Sequence, residues 1–117
     1  MKARTWTVRV TAAAETDFRN IVEWTAEHFG AAQARAYAAT LSSSMSALVG
    51  GPTTIGVKAR NEIATGLFTL HVAREGRKGR HFVMFRTHDD PDCPAIEVLR
   101  LLHDTMDLPR HLQAHSE

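Results

Sequence analysis

The sequence predicts an α+β fold in the order β-α-α-β-β-β, an antiparallel helical hairpin packed on one face of a small, mostly antiparallel sheet. Three observations carry this. Between Ala12 and Val49 apolar residues return every three or four positions, the spacing of a helix with one buried stripe. Between Leu67 and Leu102 they return in runs of every second position, the spacing of half-buried strands. Gly50-Gly51-Pro52 stands where the period changes, and neither residue type continues a helix.

Val8-Arg9-Val10-Thr11 alternates apolar and polar and reads as a short strand. Thr11 is placed to cap the helix after it. From Ala12 to Phe29 the apolar stripe is Ala14, Phe18, Ile21, Val22 and Phe29, with Asp17, Asn20, Glu23 and Glu27 mostly elsewhere. Gly30 ends this helix in the manner of a left-handed glycine cap. The alanine-rich stretch after it favours helix strongly. Its stripe is Ala34, Tyr37, Leu41, Met45 and Leu48. A one-residue connection makes the two helices an antiparallel hairpin.

Thr53 to Glu62 reads as loop. Leu67 to Arg74 puts Phe68, Leu70 and Val72 on one strand face and Thr69 and His71 on the other. Glu75 to Gly79 is a turn, and Arg80 to Thr87 is the next strand. His88 to Pro94 is a loop. Ala95 to Leu102 closes the sheet, with Ile96 and Val98 on one face and Leu99 and Leu101 toward the other. His103 to Glu117 forms a polar tail on a single domain spanning 1–117.

Composition narrows the function classes. With 44% hydrophobic and 23% charged residues in 117, the chain is an ordinary globular domain rather than a disordered one. No apolar run reaches the ~20 residues of a membrane span. The N-terminus has no apolar signal core, and one cysteine, Cys93, leaves no internal disulfide. These features point to a reducing, cytoplasmic setting. Charge is sorted along the chain. Residues 51–87 carry seven basic and two acidic groups, and residues 88–117 carry two basic and seven acidic. Such blocks either neutralise each other in the fold or meet a charged partner.

Chemistry-bearing motifs are sparse. There is no phosphate-binding glycine loop, no nucleophile elbow and no His-Glu-x-x-His pair. His88-Asp89-Asp90-Pro91-Asp92-Cys93 gathers ligand types too tightly to converge on a metal and reads as an Asx-rich turn; neither metal nor cofactor is expected. His103 and Asp104 are adjacent at a strand end, so their side chains diverge. The basic residues are the stronger signal. Arg60, Arg74, Arg86 and Arg100 can gather on one sheet surface, to clamp phosphates, to take an acidic helix of another protein, or simply to face solvent.

Three segments carry a family likeness: Val10 to Ile21, a strand leading into an alanine-bearing acidic helix; Trp24-Thr25-Ala26-Glu27-His28-Phe29-Gly30; and Ile96 to Asp107, ending His103-Asp104-Thr105-Met106-Asp107, followed by Leu108-Pro109-Arg110-His111-Leu112. Arg80 to Arg86 fits the preceding strand. From about residue 8 to 112 the chain resembles a ParE toxin of the ParE/RelE superfamily, the toxin half of type II toxin–antitoxin modules.

The resemblance implies a cognate, ParD-like antitoxin with a ribbon-helix-helix N-terminus and a C-terminal arm that folds onto the toxin. It implies no sequence-specific DNA binding by the toxin alone. Arg74, Arg86, Arg100, Met106 and Leu108 are the candidate antitoxin contacts. It further implies poisoning of DNA gyrase by binding, without a catalytic centre. The alternative within the superfamily is a RelE-like, ribosome-dependent mRNA endonuclease, for which Arg60, Arg86, Arg100 and His103 would hold and cleave RNA. Tyr37 lies on the helical apolar stripe and the lysines are few, so the cluster expected of an endonuclease is thin.

Overall fold

The computed structural model describes residues 5–105. Met106 and Leu108 lie outside the described residues. The elements are β1 (Thr7–Val10), α1 (Ala12–Phe29), α2 (Ala31–Ala47), a 3-10 segment (Leu48–Thr53), β2 (Lys58–Ala59), β3 (Leu67–His71), β4 (His81–His88) and β5 (Ala95–His103). The sheet runs β1-β5-β4-β3-β2. β1 lies parallel to β5 and every other pair is antiparallel.

The helical boundaries follow from local chemistry. Thr11 is extended and its Oγ1 accepts the Ala14 N–H at 3.2 Å, capping α1. Gly30 joins the helices alone, at φ +93° and ψ 166°. This is not the left-handed cap expected from the sequence but a more extended conformation that only glycine adopts without strain. Its N–H donates to the Ala26 carbonyl and its own carbonyl starts α2 by accepting from Ala34.

The sheet differs from the sequence expectation in three places. Lys58 and Ala59 pair with Thr69 and Phe68, making a two-residue edge strand inside the predicted loop. Strand β3 ends at His71 rather than Arg74, because the chain turns back on itself where the Arg74 N–H donates to the Val72 carbonyl. In β5, Phe85 faces Val98 while Met84 faces Arg100, so Leu99 is an extra residue. Such a bulge shifts the alternation by one. Leu101 therefore joins Ile96 and Val98 in the core, and Leu99 packs on the opposite face.

The main core lies between the hairpin and the sheet. Leu41 and Leu48 meet Leu70, Val72, Val83, Phe85, Ile96, Val98 and Leu101, and Trp6 and Ala14 close one side. A smaller cluster of Leu67, Met84 and Leu102, with Ile63 and Leu99 against it, covers part of the other face.

Beyond Val98, β5 has no strand beside it where β1 has ended. The first turns of α1 serve this free edge. Thr11 N–H donates to the Val98 carbonyl at 3.1 Å and Thr11 Oγ1 to the Leu99 carbonyl at 3.0 Å. The Asp17 carboxylate accepts the Leu101 N–H at 3.0 Å. Buried backbone groups left without partners are costly, and three are satisfied here by one helix start.

Candidate functional site

An open groove of about 1030 Å³ runs between the helical hairpin and the 73–80 turn, reaching the ends of β4 and β5. One wall comes from α1. Its buried stripe passes through Ala14 and Thr25, and the Thr25 hydroxyl is turned back to the Ile21 carbonyl at 2.7 Å. Trp24 flanks that stripe and is 53% exposed; Phe29, at the end of α1, is 65% exposed. Trp24 stacks on His28 at 4.1 Å and meets Phe29 edge-on at 5.8 Å. These three rings make an apolar surface facing water. The opposite lip carries Arg77, Lys78 and Arg80. The floor is formed by Tyr37, His81 and His103.

The floor is a hydrogen-bonded unit. The Arg80 N–H donates to Tyr37 Oη at 3.0 Å, and the Tyr37 hydroxyl donates to His81 Nδ1 at 2.6 Å. Burial pushes the Tyr37 hydroxyl above its usual range. Burial, and then the proximity of His103, lower His81 to about 4. His81 is therefore neutral at pH 7, as an acceptor at Nδ1 requires. The His81 and His103 rings meet edge-on at 5.2 Å. His103 and Asp104 share no hydrogen bond, but they do not diverge as expected: His103 Nδ1 lies 3.7 Å from Asp104 Oδ1. His103 Nδ1 also contacts Thr105 Oγ1 at 2.8 Å, while Asp104 accepts from His71 Nε2 at 3.0 Å and Arg80 Nε at 3.2 Å. The His71 bond, then Arg80, hold the Asp104 carboxyl below the usual range.

The structure separates the residues singled out from the sequence. Of these, His103 lines the groove. Arg60 bonds Thr69 Oγ1 at 2.8 Å and lies over the Phe82 ring, on the face away from the helices. Arg86 shares that face and donates to Glu97 at 2.6 Å. Five residues along β4 from His81 place it roughly 17 Å away, on the other side of the sheet. Arg100 is held at the β5 edge by two bonds to Asp17, of 2.7 and 2.9 Å. Arg74 sits at the start of the turn, 3.7 Å from Glu75. The four arginines thus do not gather on one surface, and Arg60, Arg86, Arg100 and His103 do not surround one point.

Sequence reasoning missed Trp24, Tyr37, His81 and the three cations of the lip as one site. It also assigned Phe29 to the buried stripe. The available signals are an extra aromatic beside a complete stripe and the run Arg77-Lys78-Gly79-Arg80-His81, which periodicity divides between turn and strand. The 88–94 loop is an Asx turn as expected: Asp90 Oδ1 accepts the Asp92 and Cys93 N–H groups at 2.8 and 3.4 Å. Among the described residues no three His, Cys, Asp or Glu are arranged to hold a metal ion, and no helix is long and apolar enough to cross a membrane.

Comparison with known proteins places this architecture. The chain is similar in structure to a chromosomal ParDE toxin–antitoxin protein from P. aeruginosa, with a TM-score of 0.68 and 17% identity over 86% of this chain and 97% of that one. It is also similar to a chain of the RelBE2 toxin–antitoxin complex from Mycobacterium tuberculosis, with a TM-score of 0.54 and 24% identity over 85% and 98%. At these identities the likeness is one of fold. No curated protein matches in sequence. The sequence model for the ParE toxin of the type II parDE toxin–antitoxin system matches residues 8–108. With nearly the whole chain matched, and the helical hairpin and sheet in the order read from its sequence, this protein belongs to the ParE toxin family of type II toxin–antitoxin systems.

Proposed function

We propose that this toxin inhibits DNA gyrase by binding it and that a cognate, ParD-like ribbon-helix-helix antitoxin neutralises it, both in the cytoplasm. The observation that carries a binding mode is the groove itself. It is wide, open to water and walled by exposed Trp24 and Phe29, which is the character of a protein recognition surface. The titratable groups on its floor are engaged with each other: the Tyr37 hydroxyl occupies His81 Nδ1. An endonuclease built on Arg60, Arg86, Arg100 and His103 would need them around one phosphate, and they start on two sheet faces and an edge. Among the candidate antitoxin contacts, the Arg86 side chain is 54% exposed, against 17% for Arg74 and 15% for Arg100. Arg86 is therefore the most accessible of the three.

The test is a gyrase supercoiling assay with purified protein, run beside a coupled translation assay. Loss of supercoiling with normal translation, reversed by the antitoxin, is expected. Intact supercoiling at saturating toxin refutes the gyrase target, and blocked translation with cut mRNA would move the reading to an endonuclease.

A further inference from the structure

Two histidines line the floor of the groove, and a third, His71, is linked to them through Asp104. The hydrogen bonds these rings receive fix which nitrogen carries the proton. The Thr105 N–H donates to His103 Nδ1 at 3.2 Å and the Ala73 N–H to His71 Nδ1 at 3.0 Å. A main-chain N–H only donates, so both Nδ1 atoms carry a lone pair. His81 Nδ1 accepts the Tyr37 hydroxyl, which the Arg80 N–H orients. Each neutral ring is therefore the Nε2–H form. His71 gives its Nε2–H to Asp104. Among the described residues the Nε2 atoms of His81 and His103 have no partner, and neither is a buried atom. Two N–H donors thus face the water of the groove.

The charged groups that line the groove with them are all cationic: Arg77, Lys78 and Arg80. Lys78 has no partner among the described residues. Arg77 gives Nη1 to Thr40, and the exposed Arg80 gives Nε to Asp104. The two carboxylates near His81 are committed elsewhere, Asp104 to His71 and Arg80 and Asp17 to Arg100. Converging N–H donors and cations suit an oxyanion of more than one charge, which is a phosphate. Neither ring offers a free base, because each Nδ1 lone pair is occupied, so the floor holds a phosphate ester without cleaving it. The groove wall adds the exposed Trp24 and Phe29 rings, flat apolar surface on which a nucleobase stacks.

We propose that the floor of the groove binds the phosphate of a nucleotide, free or within a nucleic acid strand, on the Nε2–H groups of His81 and His103 and the cations of Lys78 and Arg80, with the base against Trp24. This goes beyond gyrase inhibition and antitoxin binding and does not depend on either.

The experiment titrates the full chain in phosphate-free buffer with adenosine monophosphate, with adenosine and with a short single strand of DNA. Binding is followed by calorimetry and by the NMR signals of the histidine ring nitrogens. Adenosine monophosphate is expected to shift the Nε2 signals of His81 and His103 and to bind about 10-fold or more tighter than adenosine. Lys78→Ala and, separately, His103→Ala are expected to weaken it about 10-fold. Lys78 is a turn residue without partners, so its variant decides the matter if His103→Ala misfolds. A strand that binds more tightly than the mononucleotide, and less so as salt rises, supports the site with a nucleic acid as the source of the phosphate. A strand that binds no more tightly supports it with a free nucleotide as the source. Equal affinity for adenosine and its monophosphate overturns the proposal. So does wild-type affinity in the Lys78 variant, binding of neither the mononucleotide nor the strand, or an Nδ1–H form of His81 or His103. The gyrase supercoiling assay decides its own reading separately.

Discussion

Asp17 offers the sharpest test of how the fold is held, because one carboxylate performs two tasks. It accepts the Leu101 N–H at the free edge of β5 and forms a forked pair with Arg100. The side chains are 13% and 15% exposed, and the pair raises the Arg100 pKa above its usual value. Arg100 Nη1 is already buried without a hydrogen-bond partner among the described residues. Asp17→Ala strands a guanidinium and orphans an N–H at once. Breaking a fully buried pair costs about 3–5 kcal/mol, and an orphaned buried donor about 1–3 kcal/mol. Because one carboxylate serves both, the two do not add, and the residual exposure favours the low end: about 3 kcal/mol. For a domain of this size that lowers Tm by roughly 12 °C. Asp17→Asn keeps an acceptor for Leu101 and loses only the charge, so about half the effect is expected. Urea and thermal melts of both variants measure this. A loss under about 0.5 kcal/mol for Asp17→Ala would refute the edge-capping argument. The same reasoning makes Arg100→Ala a stability variant, whose toxicity tracks its folded fraction.

Three further outcomes are expected. The His81 ring is depressed from 6.5 to about 4, so the unfolded chain binds its proton first as pH falls, and stability declines between about pH 6.5 and 4. At 1.4 kcal/mol per pH unit the ceiling is ~3 kcal/mol, and solvent at the half-buried ring reduces it to about 2 kcal/mol; an NMR titration of His81 with a midpoint above 6 would contradict this. A methyl group at Gly79 would lie 2.4 Å from Val72 Cγ2 and 3.0 Å from the Tyr37 ring, so Gly79→Ala should cost about 1–3 kcal/mol by overpacking; a chemical denaturation midpoint equal to wild type would refute that close approach. Arg86→Ala breaks an exposed pair with Glu97 and should change stability by under about 1 kcal/mol. A weaker antitoxin complex from that variant in calorimetry would then report a direct contact, and an unchanged one would remove Arg86 from the interface.

The amino-acid sequence by itself determined what depends on neighbours along the chain. The bounds of α1, the Thr11 cap and the hinge at Gly30 follow from side-chain chemistry within a few residues. The inward set Leu70 and Val72 follows from alternation within one strand. Tertiary structure decided whatever depends on register and on what lies across a gap. The extra residue at Leu99 turned Leu101 toward the helices, and a bulge leaves no local mark in an apolar run. The pairing of β2 rests on two residues and a partner strand nine or more positions away. The arginines look alike in sequence, yet Arg100 is claimed by Asp17, 83 residues distant, and Arg86 by Glu97 across the strand pair. Tyr37 reads as one more apolar position of α2 until folding brings His81, 44 residues later, to its hydroxyl. Phe29 keeps helical phase with the core, yet the packed structure leaves it exposed beside Trp24 and His28. Periodicity states which side of an element is apolar; only the packed molecule states which of those positions are covered and which, like Phe29, line the groove.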